Sequence, residues 1–270
     1  MWFRRDLRIA DNPALLEAIK CADEIVPVFI LDPSLINQSG SKRLAYLAQS
    51  LRALDASLNG GLHVMVGDHV EVLRDLQERY GARSVHISTE YEPYGAARDA
   101  RVEAAGIALT RTGSPYAIAP GRVVKPSDGT PYKVYTPFYR AWCAHGWRKA
   151  AETPKKIAVV TPGIDGTSKL STYLKFGEIH PRTMLQELGD SPAHDTFRKE
   201  IAWREFYADV LFNNPHTEND YYAPQLKAMQ YNSPDEKFIA WKEGKTGYPF
   251  VDAAMRQLVA TGWMHNRTRM

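Results

Sequence analysis

The sequence predicts an α/β protein: an N-terminal α/β domain built on a parallel sheet, followed by an all-helical domain. Three observations predict it. In the first 112 of 270 residues, short apolar, β-branched runs alternate with helical periods, the pattern of a parallel sheet with crossover helices. From residue 167 onward the periods are all helical. Between the two, residues 113–166 carry seven Pro and only one sustained period, at 137–147, which reads as a linker or long interdomain loop. The chain divides accordingly into 1–112, 113–166 and 167–270.

The elements follow in order. Met1-Trp2-Phe3 is a short opening strand, clipped relative to the usual five or six residues. Asn12 caps a helix over 13–20, with Pro13 at its first position. Residues 24–31 (EIVPVFIL) form a strand ending at Asp32-Pro33. Residues 42–58 place Leu44, Leu47, Leu51, Leu54 and Leu58 on one helical face, stopped by Asn59-Gly60-Gly61. Strands at 62–66, 84–88 and 107–111 alternate with helices at 70–80, capped by Asp68, and 93–105, opened by Pro93. In the second half, 170–176, 181–188, 193–211, 235–243 and 249–261 read as helices. Val251, Ala254, Met255 and Leu258 make an apolar stripe on the last of these. Residues 263–270 read as the start of another helix.

Composition narrows the function class. Net charge is +3 and the hydrophobic fraction 44%. This suits a globular core and permits a polyanionic partner without requiring one. No apolar run reaches the roughly 20 residues of a membrane span, and no secretory signal opens the chain. Two cysteines, Cys21 and Cys143, leave no basis for a disulfide framework or a cysteine zinc site. A reducing, cytoplasmic setting and a monomer are the expectations. The sequence lacks G-x-S-x-G, H-E-x-x-H, Walker and G-x-G-x-x-G motifs. His63, His69 and His86 read as structural or surface residues, and no metal is expected.

What remains is a vocabulary of polar and aromatic clusters. Gly166-Thr167-Ser168-Lys169-Leu170-Ser171 opens a helix with hydroxyls and free N–H groups suited to a phosphate, although Ser and Thr there are also ordinary caps. Glu200, Trp203, Arg204 and Tyr207 share a helical face. They read either as the lining of a polar cavity with an indole for stacking, or as surface ion pairs around one core Trp. Near the end stand Trp241 to Pro249, Val251 to Arg256, and the run Gly262 to Met270. There Asn266 offers an amide for a ring edge, while Arg267 and Arg269 suit phosphates.

Taken singly, each has an ordinary structural reading. Taken in order they do not: W-F-R-R-D-L-R at 2–8, D-N-P-A-L at 11–15, T-S-K-L-S at 167–171, L-K-F-G-E-I-H-P-R at 174–182, W-R-E-F-Y at 203–207, E-G-K-T-G-Y-P at 243–249, V-D-A-A-M-R-Q-L at 251–258 and G-W-M-H-N-R at 262–267. The series resembles the DNA photolyase/cryptochrome family along nearly the whole chain, and within it the bacterial cyclobutane pyrimidine dimer photolyases.

The resemblance implies an α/β antenna domain, a helical domain holding FAD, and light-driven electron transfer from reduced FAD that splits pyrimidine dimers in DNA. By motif, Thr167, Ser168, Lys169, Leu170 and Ser171 correspond to residues at the FAD diphosphate, with Arg204 on the flavin side. Glu200 and Trp203 correspond to lesion-facing residues, Trp203 stacking on the flipped-out bases; Tyr207 joins them on the DNA side. Asn266 and Arg267 match a DNA- and dimer-contacting pair, and Met270 a pocket-lining methionine. Glu92 to Asp99 resembles the subgroup with an 8-hydroxydeazaflavin antenna, Arg43 and Asp99 matching contacts to it. The folate-binding subgroup, with methenyltetrahydrofolate, has an Asn-Glu pair where Tyr94-Gly95 stand here. Tyr231 aligns with the outermost tryptophan of the family's electron-transfer chain.

The pattern also departs from the family. The first strand is clipped, and the stretch from Trp147 to Gly166 is shorter than in relatives, whose flavin-contacting Tyr and DNA-contacting Arg have no counterpart here. The family's helical domain continues beyond the motif at Met270. The expectation is that this chain holds FAD weakly and repairs little. The alternative function is a cryptochrome-like blue-light photoreceptor, and a third is a remnant without activity.

Overall fold

The computed structural model describes residues 1–152, 170–231 and 233–264. They divide into two compact units, Met1–Gln38 with Leu47–Asn219, and Ser39–Tyr46 with Asp220–Met270.

The chain opens with parallel strands and crossover helices: β1 (Trp2–Phe3), α1 (Pro13–Cys21), β2 (Val28–Leu31), a one-turn α2 (Pro33–Ile36), α3 (Ser41–Ser57), β3 (His63–Val66), α4 (His69–Tyr80), β4 (Val85–Ile87), α5 (Pro93–Ala104) and β5 (Leu109–Arg111). The named strands pair in parallel, and the bridge between Val124 and Pro131 is antiparallel. Trp2 pairs with Val28, Val28 with His63, and Val85 with Leu109. β1 lies beside β4, but the ladders stay separate, β1-β2-β3 and β4-β5. β1 is two residues long and pairs with β2 alone. The strands are shorter than their apolar runs suggest; residues 24–27, for example, lead into β2 without joining it. Helix starts follow their caps: Asn12 accepts from the Leu15 amide, Asp32 from Ser34, and Asp68 from Val70 and Glu71.

Two apolar clusters sandwich this sheet. One gathers Trp2, Val28, Ile30, Val72, Leu73, Leu76, Val85, Ile87 and Val102; the other gathers Phe3, Leu7, Leu15, Leu51 and Leu54. A third core belongs to the helices that follow: α6 (Tyr135–His145), α7 (Ser171–Phe176), α8 (Pro181–Gln186) and α9 (Pro192–Asn213). Phe138, Trp142, Met184, Leu185, Ile201 and Phe206 fill it, and Ala117, Ile118 and Val123 join them. The stretch after residue 112 therefore does not behave as a linker up to residue 147. Its Pro and Gly shape a loop that sends Ala117, Ile118 and Val123 into the core and leaves Val124 and Val134 exposed.

The motif near the N-terminus meets the one at 174–182. Leu7 N–H donates to the Phe176 carbonyl, and the buried Arg8 guanidinium donates to the Gly177 and Asp11 carbonyls. Arg182 donates to Asp11 at 3.3 Å, and His180 receives the Arg182 amide on Nδ1 while Nε2 faces the Ser114 carbonyl at 2.8 Å.

In the second unit, α10 (Glu236–Glu243) and α11 (Pro249–Thr261) pack around Ala254, Met255 and Met264. Asp252 accepts from the Thr246 and Gly247 amides and the Thr246 hydroxyl, and Arg256 donates to the Gly244 carbonyl. The E-G-K-T-G-Y-P and V-D-A-A-M-R motifs thus hold one turn between them. Gly262 ends α11 in the left-handed conformation. The helix start expected at residue 263 falls largely on residues outside the described set. Among the described residues no helix is long and apolar enough to cross a membrane.

Two buried imidazoles make stability pH-dependent. Burial, helped by the Arg98 charge, pushes His69 down from 6.5 to about 4, and burial pushes His180 well below 6.5. Both are neutral in the fold, whereas in the unfolded chain they take up protons once pH drops below about 6.5. Their contribution is complete above pH 6.5 and declines as pH falls below it, for His69 down to about 4. The denaturant midpoint is expected to fall across that window, and less steeply in His69→Gln. A midpoint constant from pH 7 to pH 4.5 contradicts this.

Candidate functional site

α9 organises the site. Ser191 caps it and Pro192 takes its first position. Its buried stripe runs Ile201, Ala202, Glu205, Phe206, Asp209, so two acids lie among the apolar residues that face the core. Both hold backbone. The Glu205 carboxylate, 3% exposed, accepts from the Ala117 amide at 2.5 Å, the Ile118 amide at 3.2 Å and the Trp142 indole N–H at 2.6 Å. Asp209 accepts from the Gly121 amide at 2.6 Å. Burial pushes both carboxyls up, against the pull of these donors. Arg204 completes the grip, donating to the Pro115 carbonyl at 3.3 Å and the Leu174 carbonyl at 3.4 Å, with its guanidinium carbon 4.7 Å from the Tyr116 ring centre. Two consecutive turns of α9 therefore clamp residues 115–121.

Arg204 consequently leaves the face that spacing assigned to it. Glu200, Trp203 and Tyr207 remain on the outer side, Glu200 exposed, Trp203 half-buried and Tyr207 63% exposed. Trp203 already carries a ring: Tyr135 lies parallel to the indole, at 3.6 Å between centroids and 7° between planes. Tyr207 adds a looser stack at 5.5 Å and 25°, and Phe206 meets the indole edge-on. Burial and the Glu200 charge push the Tyr135 phenol up to about 12.

Of the residues matched to FAD contacts, Leu170 and Ser171 stand at the start of α7, where Leu170 takes the cap position and, among the described residues, supplies no side-chain cap. The first-turn N–H groups and the Ser171 hydroxyl suit an anionic diphosphate. Arg204 is committed to carbonyls and offers such a group charge rather than a free fork. Thr167, Ser168, Lys169, Asn266, Arg267 and Met270 lie outside the described residues. Tyr231, 67% exposed, shares a hydrogen bond with the Tyr221 hydroxyl at 2.6 Å.

The residues matched to antenna contacts belong to different compact units. Arg43 is exposed in the first turn of α3. Asp99, 2% exposed, accepts from Arg4 and Arg98, each at 2.7 Å, while Glu90 lies 3.3 Å from Arg4 and 3.4 Å from Arg98. Both guanidiniums lie 4.9 Å from the Trp2 ring centre. This closed cluster sits at the carboxyl edge of the sheet, where open α/β folds gather ligand-binding residues. Next to it Tyr94 donates to Asp32, and burial together with that bond pushes the phenol up to about 12.

Sequence reasoning missed Glu205, Asp209 and Tyr135. The first two had a readable signal, since acids at inward spacing on an apolar stripe must find donors. Tyr135 had none: its partner lies 68 positions away along the chain.

Comparison with known proteins now bears on this geometry. The DNA photolyase family model matches residues 1–156, and the model for the FAD binding domain of DNA photolyase matches residues 197–270. A deoxyribodipyrimidine photo-lyase of Streptomyces griseus is 32% identical across 99% of this chain and 72% of its own length. That alignment runs over 333 positions, so the relative carries residues inside the span that this 270-residue chain lacks. A bacterial class III photolyase structure from Agrobacterium tumefaciens superposes with a TM-score of 0.84 at 29% identity, covering 99% of this chain and 70% of that one. An archaeal photolyase from Sulfolobus tokodaii, described with two FAD molecules, gives 0.81 at 26%, covering 99% of this chain and 72% of that one. A Synechocystis cryptochrome, at 21% identity and 0.86, shares the fold. With a family model matched over more than half its residues, and relatives aligned from end to end, the chain belongs to the DNA photolyase family.

Proposed function

We propose that this chain acts as a deoxyribodipyrimidine photolyase, a light-dependent lyase that splits cyclobutane pyrimidine dimers in DNA. The observation that carries the reading is the outer face of α9: a half-buried indole, Trp203, with the exposed Glu200 carboxylate and the exposed Tyr207 ring on the same face.

When bound, FAD supplies a light-driven one-electron donor; Leu170 and Ser171, with Thr167, Ser168 and Lys169, would hold its diphosphate. The chain's own task is to bind and orient. Trp203 stacks on the extruded bases, and Tyr207, Asn266 and Arg267 support the DNA around them. Glu200 would reach the base edge by hydrogen bond; Met270 joins this set by its motif match alone. In this scheme residues 1–112 serve light collection and 167–270 serve flavin and lesion binding, with 113–166 between them. For the antenna we favour 8-hydroxydeazaflavin over methenyltetrahydrofolate. Asp99 is already engaged by two arginines, so that preference rests on Arg43 and on Tyr94-Gly95 in place of Asn-Glu.

Base stacking on an aromatic side chain contributes about 1–3 kcal/mol by alanine substitution. Trp203→Ala is therefore expected to weaken binding to a thymine-dimer oligonucleotide by roughly tenfold or more, leaving undamaged duplex binding unchanged. Fluorescence anisotropy on both DNAs reads the difference, and equal loss on the two removes Trp203 from the lesion site.

A further inference from the structure

Trp203 is one end of a longer array. Tyr135 stacks on it at 3.6 Å and 7°. Tyr135 is followed by Tyr139 at 5.9 Å and 22°, and Tyr139 by Trp142 at 6.3 Å and 19°. The order arises from α6, which places Tyr135, Tyr139 and Trp142 four and three residues apart on one face. Every ring is an oxidisable phenol or indole, and each step is short and near-parallel.

Proton acceptors distinguish the rings. The Tyr135 hydroxyl donates to the Lys199 backbone carbonyl at 2.8 Å, and an amide carbonyl takes no proton. The Tyr139 hydroxyl donates to the Asp195 carboxylate at 2.8 Å. Lys199 lies 2.7 Å from the other oxygen of Asp195, and its hydrogen bond holds that carboxyl below the usual range, so the acceptor is present as an anion. Trp142 donates to Glu205, but a phenol with an outlet for its proton is oxidised more readily than an indole.

We propose that Trp203, Tyr135 and Tyr139 form an electron-transfer conduit in which Tyr139 is the terminal redox residue and Asp195 its proton acceptor. A one-electron oxidant at the exposed edge of Trp203 takes an electron from the indole. The electron vacancy passes from Trp203 to Tyr139 across Tyr135, which keeps its proton in the hydrogen bond to the Lys199 carbonyl and serves as the bridging ring rather than as a resting radical. Tyr139 loses its electron to the stack and its phenolic proton to Asp195. The products are a neutral tyrosyl at 139, a protonated Asp195 and an oxidant reduced by one electron. A photoexcited flavin is the class of oxidant that the proposed function brings here; that source alone rests on the photolyase reading, and the conduit does not.

The test uses the chain without bound flavin. Azide radicals from pulse radiolysis oxidise tryptophan, and the visible band of the tryptophanyl radical is followed as it converts to the near-ultraviolet band of tyrosyl. The expected result is a first-order conversion, independent of protein concentration, with a tyrosyl EPR signal. That conversion phase is lost in Tyr139→Phe, which keeps the ring, and slowed in Asp195→Asn, in which the initial tryptophanyl yield is unchanged. Tyr135→Phe leaves a less readily oxidised bridging ring between Trp203 and Tyr139 and slows it also. Circular dichroism of each variant controls for folding. A second arm replaces azide with photoexcited flavin mononucleotide free in solution, so a chain that fails to hold FAD still reports on the conduit. Unchanged rate and tyrosyl yield in folded Tyr139→Phe, or a conversion that scales with protein concentration, overturns the proposal.

Discussion

Gly177→Ala is expected to abolish folding, or to leave a chain at least about 4 kcal/mol less stable, the range reached by few single substitutions. Two independent constraints meet at this glycine. Its φ is +72°, where an L side chain is strained. A Cβ built there would also collide with the Arg5 carbonyl group and approach the Asp6 Cα. The obstacle is backbone rather than a side chain that can swing away, and the backbone is fixed from both sides. Leu7 N–H donates to Phe176, and Arg8 donates to the Gly177 carbonyl itself. Relief requires moving the whole N-terminal loop off α7. Gly129→Ala, at positive φ but with open space around it, is the control: it is expected to cost about 1 kcal/mol from the backbone alone. Similar denaturant midpoints for the two variants would show that the loop contact is dispensable.

The second large effect is expected at Glu205. Removing its carboxylate in Glu205→Ala leaves the Ala117 amide, the Ile118 amide and the Trp142 indole N–H without their acceptor. Each buried orphan costs about 1–3 kcal/mol, so a total loss of roughly 3–5 kcal/mol is expected after partial rehydration. Glu205→Gln separates shape from charge. It preserves volume and one acceptor oxygen but turns an amide N–H towards a donor, so about half the loss is expected. Urea denaturation measures the stabilities, and hydrogen exchange at the Ala117 and Ile118 amides should accelerate in Glu205→Ala before that of β4 changes. Exchange that accelerates uniformly would mean that α9 does not hold this loop separately.

Much of the fold was legible because it follows from local chemistry. Asn12, Asp68, Asp235 and the prolines at 13, 93, 181 and 249 announce helix starts by supplying acceptors or a preset φ. The alternation of apolar runs with helical periods announces the parallel sheet. What escaped depends on contacts distant in sequence. Pro and Gly made residues 113–147 look like a tether, yet Tyr116, Ala117, Ile118, Val123 and Trp142 are buried, because α9 satisfies the loop's backbone donors with Glu205 and Asp209. The four-residue face of α9 was legible in its spacing, but side-chain reach was not: Arg204 is long enough to turn inward and find carbonyls at Pro115 and Leu174. Asp99 likewise looked available for a ligand until two arginines from either side closed on it.

The central claim is that this chain splits pyrimidine dimers with light. It is tested most directly by illuminating the chain with reduced FAD and a thymine-dimer oligonucleotide, FAD and DNA in excess, and counting intact thymines against a dark control. The account predicts a light-dependent gain of thymine that is absent in the dark and falls in Trp203→Ala. No gain under light, with flavin and damaged DNA both demonstrably bound, would contradict it.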